Sequence, residues 1–193
     1  MANPDEQLFL WINGLSGHLS ILDQGAKWMS SDYLVTISLG LTLLGLWFCG
    51  NTRIDRDQNQ LNVFMALIIM GLSSLVVHVA NMIYFRPRPF VNHDVNLLFY
   101  QPTDSSFPAN SMAVTFSIAI SIWIINKKVG TTLILLTSLY GLTRIYVGVH
   151  YPIDILAGAS ISIAITFLVF KAKKFLTPML MWAIKMIRVF CVA

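Results

Sequence analysis

Apolar residues fall into five long segments, Tyr33–Cys49, Leu61–Phe85, Ser111–Ile125, Val129–Val149 and Ile153–Phe170. Each is long enough, or nearly so, to cross a bilayer as a helix. The breaks between them are mostly short and polar. Gly50–Gln60 reads as a polar turn, and Asn126, Lys127 and Lys128 form another. One break differs: from Arg86 to Asn110 the apolar signal stops, and Pro87, Pro89, Pro102 and Pro108 fall within it. A loop of that length in a compact protein is usually functional or disordered. Its arginines and its place between spans favour function. Ahead of the first span, residues 5–14 suit a short amphipathic helix with Phe9 and Trp11 at headgroup level. Residues 20–31 fit either a second interfacial helix or the polar start of a span. The tail, Leu176–Val192, is apolar but carries Lys185 and Arg188, and fits a sixth span or an interfacial helix equally. The expected fold is therefore all-α: one membrane-embedded domain over residues 1–193, with five to six transmembrane helices and an N-terminal interfacial helix.

Composition agrees. The 193 residues are 56% hydrophobic and only 11% charged, with a mean hydropathy of +0.69, outside the range of soluble domains. The net charge of +4 comes from cations that flank apolar segments rather than forming runs, so their natural partners are membrane lipids and not nucleic acid. Cys49 and Cys191 have no metal-like spacing and suggest no disulfide framework. The N-terminal Met-Ala-Asn-Pro-Asp-Glu lacks a basic region, so no cleaved signal peptide is expected. If the spans alternate, Arg53, Arg56, Lys127, Lys128, Lys171, Lys173 and Lys174 share one side, which the positive-inside rule makes cytoplasmic. The 86–110 loop then faces outward.

Candidate chemistry gathers on that outward side. Thr143-Arg-Ile-Tyr-Val-Gly-Val-His-Tyr-Pro-Ile-Asp154 puts a permanent cation, an imidazole and a carboxylate at one rim. A guanidinium forks onto phosphate oxygens. His150 and Asp154 are four apart, so on a helical turn they share a face. A carboxylate on one ring nitrogen fixes the tautomer and leaves the other free to attack. Arg86-Pro-Arg-Pro-Phe90 holds two more guanidiniums extended at the rim. Pro108 followed by small residues suits a first helical turn, whose free N–H groups at Ala109 and Asn110 attract anions. Asn110 or Ser111 could also cap that helix. His78 lies inside the second span, about 15 Å below Arg88 by helical rise. That depth suggests a buried interhelical hydrogen bond rather than phosphate contact. Gly40, Gly45, Gly71, Gly141, Ala157, Gly158 and Ala159 are small enough for close helix packing.

Together these stretches resemble the type 2 phosphatidic acid phosphatase family over about residues 60–170. Its pattern is Lys-x6-Arg-Pro, Pro-Ser-Gly-His and Ser-Arg-x5-His-x3-Asp. Arg88-Pro89 matches the first motif, and Arg144, His150 and Asp154 match the third, with Thr143 for Ser. The likeness is strongest to bacterial undecaprenyl-diphosphate phosphatases of the bacitracin-resistance type. The resemblance implies a multi-pass lipid phosphatase of the plasma membrane with an extracytoplasmic site and no metal or other cofactor. It implies that His150 attacks phosphorus, Asp154 orients it, and Arg88 and Arg144 hold the phosphoryl oxygens. Two positions depart from the pattern. Asn81 stands for the motif's Lys, keeping a hydrogen-bonding amide but losing a charge. Ser111 stands for the general-acid His, a step worth about 10²–10⁴-fold. A lipid monophosphate leaving from a diphosphate, with a second pKa of about 6, needs that acid least. The expectation is a slow diphosphatase, or one with a replacement acid such as His93. The rival readings are a phosphatase for phosphatidylglycerophosphate or phosphatidic acid, and a degenerate member that binds or moves lipids without turnover.

Overall fold

The computed structural model describes residues 3–190. Met1, Ala2, Cys191 and the end of the apolar tail lie outside the described residues. Those described form helices and no strands: α1 (Pro4–Asn13), α2 (Ser20–Met29), α3 (Leu34–Phe48), α4 (Arg53–Ile83), α5 (Pro89–Asn92), α6 (Asn110–Ile125), α7 (Lys127–Tyr146), α8 (Pro152–Lys171) and α9 (Lys173–Phe190). The all-α expectation holds. Two helices, α4 and α8, are long and apolar enough to cross a membrane, and a third span results if α2 and α3, bent by 45° at their junction, count as one.

The expected turn at Gly50–Gln60 is instead the start of α4. Thr52 accepts from the Asp55 N–H at 3.2 Å, and the Asp55 carboxylate accepts from the Thr52 N–H at 3.1 Å. This reciprocal cap nucleates the helix at Arg53, and polar residues occupy its first turns. The result is a 31-residue rod, about 46 Å long. α7 ends at Tyr146, short of the expected Val149, because Gly148 takes φ +91°, a backbone that glycine adopts without a Cβ penalty.

α6 is the central helix, packed on α4, α7 and α8. It is apolar all round, as a helix enclosed on every side must be. Lipid tails are as apolar as leucine, so helix association here rests on close approach and hydrogen bonds. The Ser162 hydroxyl of α8 donates to the Ala113 carbonyl of α6 at 2.7 Å, a bond worth about 0.6–2 kcal/mol in such settings. Gly158 lets α8 lie directly on the start of α6: a Cβ there would stand 2.5 Å from the Ala109 carbonyl oxygen. Gly141 serves a similar contact, whereas a Cβ at Gly40, Gly45 or Gly71 would meet nothing within 4 Å, so those three are not packing glycines.

α1 is packed into the bundle. Phe9, Asp5 and Asn13 are buried, and the Asn13 amide donates to the carbonyls of Asn96 and Tyr146 while accepting from the Asn96 N–H. That pins the 84–109 loop to the end of α7. α9 packs Leu180 and Ile184 against Leu61, Met65 and Ile69 of α4, and Arg188 pairs with Asp57 at 2.6 Å.

Candidate active site

The α7–α8 turn builds the site's floor. Arg144 occupies the last turn of α7. His150 precedes α8, so it and Asp154 do not share a helical turn as expected. The Asp154 carboxylate accepts from the Tyr151 N–H at 2.9 Å, capping the start of α8. His150 is 2% exposed. Its Nδ1 is 3.0 Å from the Ser106 carbonyl and 3.8 Å from Asp154 Oδ2. The first is a hydrogen bond; the second is too long for one. A carbonyl only accepts, so Nδ1 carries the proton and Nε2 keeps a lone pair. The backbone of Ser106, not Asp154, fixes the tautomer. Asp154 acts one step behind, through the Ser106 hydroxyl, which donates to Oδ2 at 2.5 Å. Burial, with Arg88 and Arg144 nearby, pulls the His150 pKa down to about 4 against the raising effect of Asp154. The ring is neutral at physiological pH, as a nitrogen nucleophile must be.

Arg86 and Arg88 diverge despite being two residues apart. Arg86 turns away from His150 to pair with Asp154 at 2.6 Å and Asp5 at 2.7 Å, and its guanidinium lies 4.0 Å from the Tyr151 ring centre. It does not line the cavity that holds His150. Arg88 turns inward: Nη1 is 2.9 Å from the Val149 carbonyl and 3.2 Å from His150 Nε2, and Nη2 donates to Asp104 at 2.8 Å. Arg144 Nη1 donates to the Ser30 carbonyl at 3.0 Å and to Asp32 at 3.1 Å. The Arg144 Nε–H is buried and has no acceptor among the described residues.

Arg88, Arg144 and His150 line one cavity of about 290 Å³, together with Asn110, Ser111 and Tyr140. The N-terminal turn of α6 opens onto it through Asn110 and Ser111, and the first N–H groups of any helix lack intrahelical partners. The cavity therefore offers two guanidiniums, helix-end N–H groups and a lone-pair nitrogen to one anion. Asp104 and Asp32, partly exposed, hold the two guanidiniums in the free chain.

Several expected site residues sit elsewhere. The Ala109 N–H is committed to the Asp154 carbonyl at 3.1 Å, so Ala109 offers no anion contact. Asn110 and Ser111 do not cap α6. Asn110 instead accepts from the Ser74 hydroxyl at 3.0 Å. The Ser111 hydroxyl is buried without a partner at hydrogen-bond geometry, although it is near enough to act on the Tyr140 phenol. Asn81 lines a neighbouring groove, not this cavity. His93 packs against the rings of Phe9 and Tyr151, at 6.5 and 6.2 Å between centres, and is not among the cavity's lining residues. His78 makes no interhelical hydrogen bond among the described residues; it is exposed in the groove that Asn81 lines. The residues not foreseen are Ser106, Asp5, Asp32 and Asp104. Ser106 could have been noted as a hydroxyl beside the Pro108 helix start; the acids gave no local signal.

Comparison with known proteins accords with this geometry. The PAP2 superfamily profile matches residues 62–178. The undecaprenyl-diphosphatase BcrC of Bacillus subtilis is 36% identical over 173 residues, covering 89% of this chain and 86% of its own. Among solved structures, LpxE of Aquifex aeolicus superposes with a TM-score of 0.65 at 28% identity, over 86% of this chain and 93% of that one. A PAP2-type phosphatidylglycerolphosphate phosphatase from Bacillus subtilis gives 0.62 over 88% and 84%, and at 21% identity speaks to the fold alone. Arg88, Arg144 and His150 of the matched stretch meet in a single cavity, and the chain belongs to the PAP2 superfamily.

Proposed function

We propose that this protein is a multi-pass membrane lipid phosphatase that hydrolyses undecaprenyl diphosphate, or a close polyprenyl diphosphate, to the monophosphate. One observation carries the reading: a neutral histidine, two guanidiniums and the start of α6 converge on one cavity. His150 Nε2 attacks the terminal phosphorus, forming an N–P bond as the P–O bond to the lipid phosphate breaks. Arg88 moves from His150 and Asp104 onto the phosphoryl oxygens, and the free Nε–H of Arg144 meets another. Asp154, through Ser106, steadies the charge that develops on the ring. Water then attacks phosphorus, and inorganic phosphate leaves. Five to six spans, with the seven flanking cations in the cytoplasm, put this chemistry at the extracytoplasmic face of the plasma membrane. The identity with BcrC supports the diphosphate substrate.

The test is phosphate release from purified lipid mono- and diphosphates. The wild-type chain is expected to prefer the diphosphate, and His150→Ala to abolish release. Equal release by His150→Ala would refute the mechanism, and no release by the wild-type chain from any substrate would favour a lipid-binding or lipid-moving protein.

A further inference from the structure

We infer that His78 and Asn81 form the subsite for the lipid-linked leaving group, and that His78 supplies the proton that Ser111 cannot. The inference rests on the phosphatase reading above. A groove of about 630 Å³ adjoins the catalytic cavity and shares Asp104 and Asn110 with it as walls. For a substrate whose terminal phosphate sits on Arg88 and Arg144, this groove is the neighbouring space across Asp104 and Asn110. Its depth is fixed by the Ser74–Asn110 hydrogen bond of 3.0 Å, which brings Ser74 of α4 level with the residue next to Ser111. His78 lies four residues on, one turn along the same helical face. It is thus about 6 Å along α4 from that level, in the groove that also holds Asp104. Asn81 follows on that face, and its buried Oδ1 has no partner among the described residues. An amide can present either end to a phosphate. Met82 and Phe85 complete an apolar wall that suits the first units of a hydrocarbon chain.

In the step, His150 Nε2 bonds to phosphorus and the P–O bond to the leaving group breaks. The proton on the His78 imidazolium passes to the departing oxygen. In the second step the attacking water returns a proton to His78, so one water is consumed and one phosphate released. The charged group that shares the groove with His78 is Asp104, from the 84–109 loop; α6 contributes only the neutral Asn110.

The experiment measures kcat against pH for a lipid diphosphate and a lipid phosphate monoester. It compares wild type, His78→Gln, Ser111→His and the double variant in detergent, with His78→Asn as a second replacement should glutamine disturb insertion. His78→Gln is expected to lower kcat by about 10²–10⁴-fold for the monoester, whose alkoxide needs a proton, and much less for the diphosphate. It is also expected to remove the fall in kcat on the basic side, and Ser111→His is expected to restore turnover in the His78→Gln background. Unchanged kcat and an unchanged profile in His78→Gln would overturn this assignment alone. No release by the wild-type chain would overturn the phosphatase reading and this assignment with it.

Discussion

The Arg86 guanidinium sits between two carboxylates, one of them 0% and the other 1% exposed, while it is itself 17% exposed. Removing one member of such a buried group leaves unpaired charge, at about 3–5 kcal/mol. Arg86→Ala is expected to cost that much stability, read by thermal unfolding in detergent, and to lower activity by loosening Asp154. His150 sets a pH dependence. Its folded pKa, about 4, is depressed from 6.5, so the unfolded chain takes up the proton first. Stability from the neutral ring is complete above about pH 6.5 and is lost as pH falls toward 4. His150→Gln is expected to flatten that part of the stability profile; an unchanged slope would contradict a buried neutral ring. Residues within one short stretch, Arg144, His150 and Asp154, were legible because they are close in sequence, although His150 stands before α8 rather than on a shared helical turn with Asp154. Arg88 was legible beside its prolines. Asp5 and Asp32 were not, since they reach the site from α1 and from the α2–α3 turn, and a lone acid near a helix start reads as a partner for the helix dipole. Ser106 was hidden because it works largely through its backbone carbonyl, which any residue supplies.

Helix ends decide where these groups point. α6 begins against α8 only because Gly158 has no side chain. Gly158→Ala would push a methyl into the Ala109 carbonyl and is expected to cost about 1–3 kcal/mol and to reduce turnover by displacing Asn110 and Ser111. Normal activity and melting in this variant would show that the α6–α8 contact does not hold the site. The 84–109 loop brings Asp104 onto Arg88. That carboxylate is 64% exposed, so the pair is worth no more than about 1 kcal/mol. Asp104→Asn is expected to lower KM by up to about fivefold, by freeing a guanidinium for phosphate. The apolar runs located the helix bodies well, because hydropathy reports what a segment buries. They misjudged the start of α4, where a Thr–Asp cap turns polar residues into helix. They also misjudged His78, which is exposed in a groove rather than bonded between helices, because hydropathy does not report which face of α4 a residue takes.

Among the described residues, the flanking cations and the candidate site occupy different helix junctions. The α3–α4, α6–α7 and α8–α9 junctions carry the seven flanking cations, while the α2–α3, α4–α6 and α7–α8 connections build the cavity. Exposed Cys49 ends α3 at the basic end, and exposed Val91 lies in the loop at the other. Val91→Cys, in a chain with Cys49 and Cys191 replaced by serine, is expected to react with an impermeant maleimide on intact cells. Cys49, in a chain with Cys191 replaced by serine, is expected to react only after permeabilisation. The reverse pattern would invert the orientation. The most direct test of the central claim is isolation of the phosphorylated protein. Rapid quenching in base during turnover of a β-phosphate-labelled lipid diphosphate, followed by peptide mass spectrometry, should find phosphate on Nε2 of His150, stable in base and labile in acid. Turnover with no phosphohistidine, or label retained in His150→Ala, would contradict it.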